Sequence, residues 1–382
     1  MTDGLTLEDK RELLTRGFSR RSFGRFATLL GAGAATLPFY NEPAMAQLSN
    51  IGPLPPDAVK INANENPLGP CPEAAEAIHN IVKKGGRYLY EETFAFAKVL
   101  ADQNGLKPEY VTPFAGSSDP LHRSVIAFTS PTKSFVAGDP GYEAGARAAD
   151  YVGAKVIRVP LAKDYSHDVK AMAAADPDAG VIYLCNPNNP TGTLTKRSDI
   201  DWLVANKPKG SILLLDEAYI HFSGADFASD LVAADKDVII LRTFSKLYGM
   251  AGLRAGAALA RPDLLAKLRP VGAGMMPVTG MVGGTASLQV KTLVPERRKA
   301  LKQVREDTFA FLAKHNFSFI PSVSNCFMLN AKGPGGDLVK KMAAEKVFIG
   351  RVWPAMPDYA RITVGTADEM AKFNAALLKV AA

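Results

Sequence analysis

From residue 72 onward the chain alternates between stretches whose apolar positions recur every three or four residues and short runs in which they are unbroken. "PEAAEAIHNIVKK" (72–84) and "FAFAKVLADQNG" (94–105) carry the helical period, the second closed by Gly105. "KSFVAG", "AKVIRVPL", "GVIYLCNP", "SILLLDEAY" and "DVIILRTF" are short apolar runs, most of them separated by helix-length stretches such as "YEAGARAADYVG" and "TKRSDIDWLVANK". A strand with one wet face alternates apolar and polar residues. Continuous apolar strands spaced by helices predict an α/β fold, a mostly parallel sheet covered by helices on both faces. Near residue 295 the pattern changes to a long charged helix, "PERRKALKQVREDTFAFLAKHN", then short strands and a last helix, "ADEMAKFNAALLKVAA". That change predicts a large domain over 87–292 and a smaller α+β domain over 293–382, the latter joined by the segment 47–86. The segment "GAGMMPVTGMVGG" (272–284), rich in Gly and Met, reads as flexible.

Composition narrows the class only a little. With 382 residues, 47% of them hydrophobic and 22% charged, the chain can bury a large core. Its net charge of +7 is spread out, and no basic run is interleaved with aromatics, which argues against nucleic acid as a partner. Cys71, Cys185 and Cys326 are too widely spaced for a disulfide or metal framework, and none of the five histidines pairs with a carboxylate at zinc-site spacing.

The first fifty residues follow a different logic. "SRRSFGRF" (19–26) places Arg20 and Arg21 before a short apolar stretch, "ATLLGAGAATLPF", and "AMAQ" then offers a small-x-small cleavage site after Ala46. A basic region, an apolar region and an Ala-x-Ala cut come in the order of an export signal, 1–46. The paired arginines followed by Phe23 resemble a twin-arginine signal, which implies the twin-arginine export machinery as a partner and a periplasmic mature protein beginning at Gln47. The apolar run is too short to serve as a stable membrane anchor. Because that machinery moves folded proteins, a secreted chain could carry its cofactor with it and do without disulfides.

In an open α/β sheet, ligands bind beyond the carboxyl ends of the strands. "CNPNNPTGT" follows Leu184, "DEAY" follows "ILLL", "TFSK" follows "VIIL", and "PFAGSSD" follows Tyr110 and Val111, just before the helix-like "PLHRSVIAF". All four belong to one rim. Lys246 stands where a buried strand ends, with Arg254 eight residues on and small residues around both. A buried ammonium is costly unless it is paired, neutralised or covalently used.

"NPNNPTG", "DEAY", "SKLYGMAGLRAG" and "RITVGT", in that order, resemble the class I/II aminotransferases, pyridoxal-phosphate enzymes of fold type I; "INANENPLGP" (61–70), Arg87-Tyr88 and "RITVGT" (361–366) look most like their histidinol-phosphate aminotransferase branch. The resemblance spans nearly all of the expected mature chain. It implies pyridoxal 5'-phosphate as cofactor, an amino donor and a 2-oxo acid acceptor as substrates, and a homodimer as the active unit.

The chemistry gives these residues reasons. A lysine amine forms a Schiff base with an aldehyde, the role implied for Lys246, which on release serves as general base and acid. A pyridinium nitrogen that must stay protonated needs a carboxylate beside it, implied to be Asp216, with Glu217 pointing elsewhere. The resemblance assigns Tyr219 and Asn189 to the cofactor's phenolic oxygen, Tyr142 to its ring face, and Arg361 to the substrate carboxylate, which a forked guanidinium suits. A phosphate wants amide N–H groups at a helix start and a fixed cation: Ser117 and Ser118 supply the first, Arg254 the second, with hydroxyls from Thr243 and Ser245. Tyr88 matches a tyrosine that reaches the phosphate of the neighbouring subunit. A decarboxylase, lyase or cyclase of the same fold is the alternative.

The sequence departs from the resemblance at "GRYLYEE" around Tyr88, at Pro120 and at Asn66.

Overall fold

A computed structural model describes Arg11, Leu14, Thr15, residues 54–272 and residues 274–381. The export-signal expectation and the cleavage point after Ala46 lie outside the described residues. In chain order the strands are β1 (Val59–Ile61), β2 (Val111–Phe114), β3 (Ser134–Asp139), β4 (Val156–Pro160), β5 (Ala179–Cys185) and β6 (Ile212–Asp216). They continue with β7 (Val238–Thr243), β8 (Gly256–Leu259), β9 (Phe319–Ile320), β10 (Cys326–Asn330), β11 (Val347–Ile349) and β12 (Tyr359–Thr363).

The apolar runs pair as a seven-stranded sheet in the order β2-β8-β7-β6-β5-β3-β4. It is parallel except for β8, which runs antiparallel to both β2 and β7. The expected mostly parallel α/β sheet is therefore present, with one reversed strand that the sequence pattern did not reveal. Each continuous run feeds two cores. Leu213, Leu215, Val238 and Ile240 face one cluster, whereas Ile212, Leu214, Ile239 and Leu241 face the other. Period-two alternation thus survives inside an unbroken apolar run because both faces are covered. The carboxyl ends of β2, β3, β5, β6 and β7 all point the same way, which gathers their exit loops on one rim.

A third core, apart from the two on the faces of the large sheet, packs the helices Leu293–Lys314 and Ala367–Ala381 on the antiparallel sheet β12-β10-β9, with Phe309, Phe327 and Phe373 at its centre. The segment before residue 86 serves this third core and one of the two on the large sheet. Val59 and Ile61 pair in parallel with β11 and pack with Phe373 and its neighbours, while Cys71 and Ala74, at the start of the helix Pro72–Val82, pack into the large core.

The later part of the Gly- and Met-rich segment, expected to be flexible, is helical and packed. Residues from Val278 form the helix Val278–Gln289, buried against the helices Pro72–Val82 and Tyr90–Gln103. A Cβ at Gly284 would overlap the Phe96 ring, which is fully buried; the glycine is there so that two helices can approach closely. Among the described residues no helix is long and apolar enough to cross a membrane, and no group of three His, Cys, Asp or Glu could hold a metal ion.

Candidate active site

The exit loops enclose a cleft of about 380 Å³. Ser117, Ser118, Tyr142, Asn189, Asp216, Tyr219, Thr243, Ser245, Lys246 and Arg254 all line it. Ten positions scattered over 138 residues of sequence thus converge on one cleft, because each ends a strand of the sheet or lies in the segment between that strand and the next.

Asp216 ends β6 on the face where Ile212 and Leu214 are also buried, so alternation turns its carboxylate into the cleft. Tyr183, two residues from the end of the neighbouring β5, donates its hydroxyl to one carboxylate oxygen at 2.9 Å. The amide of Ala218 donates to the other at 3.1 Å. Burial nevertheless pushes the Asp216 carboxyl up to about 6, against the pull of those two donors. Glu217 points away from the cleft to the buried Arg242 at 2.6 Å.

Lys246 is 5% exposed, with Nζ 3.4 Å from the carbonyl oxygen of Ala63. Burial, helped by the positive charges of Arg361 and Arg254, brings its ammonium down to about 7. An amine in that state is a nucleophile and a proton acceptor near neutral pH. The turn after it holds Gly249 at φ +71°, where a Cβ would strike the Gly69 carbonyl. Glycine here is what lets the loop 62–69 lie over the lysine, together with Asn66 donating to the Leu247 carbonyl at 2.8 Å. Gly249→Ala is expected to cost about 1–3 kcal/mol from backbone strain and overlap together. Chemical denaturation checks this; a midpoint equal to wild type would contradict it.

At the other end of the cleft Arg254, itself at φ +54°, donates to the Ser245 hydroxyl at 3.1 Å and to the carbonyls of Ala251 and Ala115 at 2.9 and 3.2 Å. Among the described residues no carboxylate pairs with it. Thr243 donates its hydroxyl to Ser245 at 2.9 Å. Ser117 precedes the helix Ser118–Phe128, whose first amides have no side-chain cap, and the Ser118 hydroxyl bonds the Tyr142 phenol. A cation, hydroxyls and free helix amides at one end, a buried carboxylate beneath and an amine at the side form a donor set that fits an anionic, pyridine-bearing aldehyde such as pyridoxal phosphate.

Arg361, on β12, comes in from the third core. Its Nη1 donates to Asn189 Oδ1 at 2.8 Å and its Nη2 to the Asn62 carbonyl at 2.7 Å. Its Nε is buried and has no partner. A buried guanidinium with an open donor suits an incoming carboxylate. Arg361→Lys, which keeps the charge and loses the fork, is expected to raise KM for amino-acid substrates roughly 10–100-fold with a smaller change in kcat. Steady-state kinetics check this; an unchanged KM would remove the carboxylate role.

Two expected residues are not among those lining this cleft: Arg361, which meets it through Asn189, and Tyr88, which is 72% exposed with Tyr90 beside it at 5.7 Å between ring centroids. Three contributors escaped the sequence reading. Tyr183 supports Asp216, and its signal was a hydroxyl-bearing aromatic near the end of an apolar strand. Asn64, at φ +53°, donates to the Tyr219 hydroxyl at 3.1 Å and accepts from Thr363 at 2.9 Å. Glu65 lines the mouth.

Fold and site together define a pyridoxal-phosphate enzyme of fold type I. The chain belongs to the family of class I and II aminotransferases, whose model matches residues 56–377, and it is a pyridoxal-phosphate-dependent transaminase. It is 31% identical over 326 residues to a histidinol-phosphate aminotransferase of Symbiobacterium thermophilum, covering 84% of this chain and 90% of that one. It is 32% identical over 302 residues to an aromatic amino acid aminotransferase of Cutibacterium acnes, covering 78% of this chain and 86% of that one. The crystal structure of histidinol-phosphate aminotransferase from Sinorhizobium meliloti in complex with pyridoxal-5'-phosphate superposes with a TM-score of 0.80 at 25% identity, over 91% of this chain and 96% of that chain.

Proposed function

We propose that this transaminase takes the amino group of an amino acid or related amine, releases the keto product, and passes the nitrogen to a 2-oxo acid. Its donor is of the kind used by its histidinol-phosphate aminotransferase relatives. The observation that carries the residue assignment is the meeting in one cleft of the buried Lys246 and the buried Asp216, with the buried Arg361 bonded to Asn189, which lines the same cleft.

When bound, the cofactor supplies an electrophilic carbon and an electron sink for the substrate's Cα electrons. Asp216 holds a proton at the ring nitrogen, and the depth of its burial keeps water from competing for that contact. Lys246 would anchor the cofactor and then move the proton between the substrate Cα and the cofactor carbon; with its ammonium brought down to about 7 it has a large neutral fraction at neutral pH. Tyr219 and Asn189 would hold the phenolic oxygen, Tyr142 would serve the ring face, and Ser117, Ser118, Thr243, Ser245 and Arg254 would hold the phosphate. Arg361 orients the substrate carboxylate.

The test is to supply single amino donors, histidinol phosphate included, with 2-oxoglutarate and count products. One keto product per amino acid formed is expected. Carbon dioxide without a keto product would replace this reading with a decarboxylase of the same fold.

We read the active unit as a homodimer in which the partner subunit's Tyr88 reaches the phosphate. The exposed aromatics Tyr88, Tyr90 and Phe94 on one segment support this. Sedimentation of the loaded enzyme at twice the mass of the chain is expected.

Residues 1–46 are read as a twin-arginine signal that delivers the folded protein to the periplasm, followed by the joining segment 47–86, the large domain 87–292 and the small domain 293–382. N-terminal sequencing of the periplasmic protein is expected to begin at Gln47, and replacing Arg20 and Arg21 by Lys to abolish export. Periplasmic protein still carrying Met1 would contradict this.

A further inference from the structure

Among the charged side chains that line the cleft, Asp216, Lys246 and Arg254 have roles toward the cofactor, and Glu65 has none. Glu65 is exposed at the mouth, and among the described residues neither of its carboxylate oxygens has a hydrogen bond or ion pair.

Its backbone, by contrast, is fixed from both sides. Asn64 takes a left-handed φ of +53°, its amide donates to the Thr363 hydroxyl at 2.9 Å, and its carbonyl accepts from Asn325 at 3.2 Å. Asn66 donates to the Leu247 carbonyl at 2.8 Å and accepts the Leu68 amide at 3.1 Å. Asparagine enters the left-handed region more readily than other non-glycine residues, and the bonds to Thr363 and Asn325 hold Asn64 there. The segment is thus built to hold one conformation, and that conformation presents a carboxylate to the cleft. Three residues earlier, the Asn62 carbonyl accepts from Arg361. Chain reach keeps the backbone of Glu65 within about 10 Å of that contact.

We propose that Glu65 is a specificity-determining residue that receives a cationic group at the far end of the substrate. The favoured donors are then amino acids or amines carrying a second positive group, such as an ammonium, a guanidinium or a protonated ring. This rests on the assignment of Arg361 to the substrate carboxylate: a donor anchored there, with its amine at Lys246, extends its side chain toward the mouth. A carboxylate with no internal partner attracts such a group, whereas a donor ending in a second carboxylate is repelled.

The test uses the pyridoxal-phosphate-loaded enzyme and two kinds of measurement. The first needs no turnover. Calorimetry compares 4-guanidinobutyrate with pentanoate, carboxylates that lack an α-amine and differ in the distal cation. Wild type is expected to bind the guanidino compound about three- to tenfold more tightly, less so at high salt, and Glu65→Gln to lose the difference. The second measures kcat/KM for ornithine and leucine with 2-oxoglutarate. The ornithine-to-leucine ratio is expected to fall about three- to tenfold in Glu65→Gln, through KM, and to fall further in Glu65→Lys. Equal binding of the two carboxylates by wild type, or a ratio unmoved by both substitutions, overturns the proposal. If instead the guanidino preference is present and Glu65-dependent but no donor turns over, the role of Glu65 stands and the donor assignment under Proposed function fails.

Discussion

Lys246→Ala is expected to lower turnover by at least about 10⁴-fold while leaving the fold intact. The variant removes both the nucleophilic anchor and the group that moves the Cα proton, and general acid–base catalysis alone contributes about 10²–10⁴. The same side chain leaves a mark on stability that can be read without cofactor. In the folded protein its ammonium is brought from the ordinary 10.5 down to about 7 by burial. Between those two values the unfolded chain holds a proton that the folded one has released, so wild-type stability rises with pH across that window. Replacing the lysine removes this rise. Urea unfolding of the cofactor-free proteins at a series of pH values between 7 and 10 checks this. Wild type should gain stability relative to Lys246→Ala as pH increases, and parallel curves would mean that the lysine is not buried. The absolute offset between the two also contains the cost of the cavity left by the missing methylenes, which is why the slope is the quantity to compare.

Asp216→Asn is expected to lower turnover by about 10²–10⁴-fold and, at the same time, to stabilise the cofactor-free protein at neutral pH. The carboxyl is raised from the ordinary 3.8 to about 6 by burial. A raised value means stability is fully present below about pH 4 and is lost as pH rises through 6, because the folded state must then bury a charge. Asparagine keeps the shape without that charge. Its oxygen can still accept from the Ala218 amide, and the Tyr183 hydroxyl can turn to accept from its amide nitrogen. The difference should amount to a few kcal/mol at pH 7 and vanish near pH 4. Loss of activity with gain of stability marks a group retained for function. A variant less stable than wild type at pH 7 would instead mean that Asp216 is held by a cation the account omits.

The strands and helices that were legible in the sequence were those whose burial pattern is self-contained. "SILLLD" and "DVIIL" can only be strands covered on both faces, and the long charged helix after residue 292 declares its period over six turns. The reversed strand β8 was not legible, because "GAAL" has small side chains that carry no period; it is a strand only because β2 and β7 lie on either side of it. The segment around Gly284 was misread for a related reason. Glycine marks chain freedom in isolation and close helix packing in context, and only the Phe96 ring decides between the two.

In the site, the residues that could be named in advance were those whose chemistry is unusual where they stand: a lysine, an aspartate or an arginine at the end of an apolar run. The residues that support them were hidden. Tyr183 reads as one more strand aromatic, and its role depends on the register that sets Cys185 against Asp216. Asn64 and Glu65 lie about fifty residues before Ser117, the first rim residue, and they reach the rim because the first strand pairs with β11 and Thr363 on β12 holds Asn64.

The claim on which the rest depends is that Lys246 is the residue that binds the cofactor covalently. Loading the full chain with pyridoxal phosphate, reducing it with borohydride and mapping the peptides by mass spectrometry tests this directly. The account predicts a single modified peptide, carrying the cofactor on Lys246 and lost in Lys246→Ala. A stable adduct on another lysine, or none under conditions where the protein turns yellow, would contradict it.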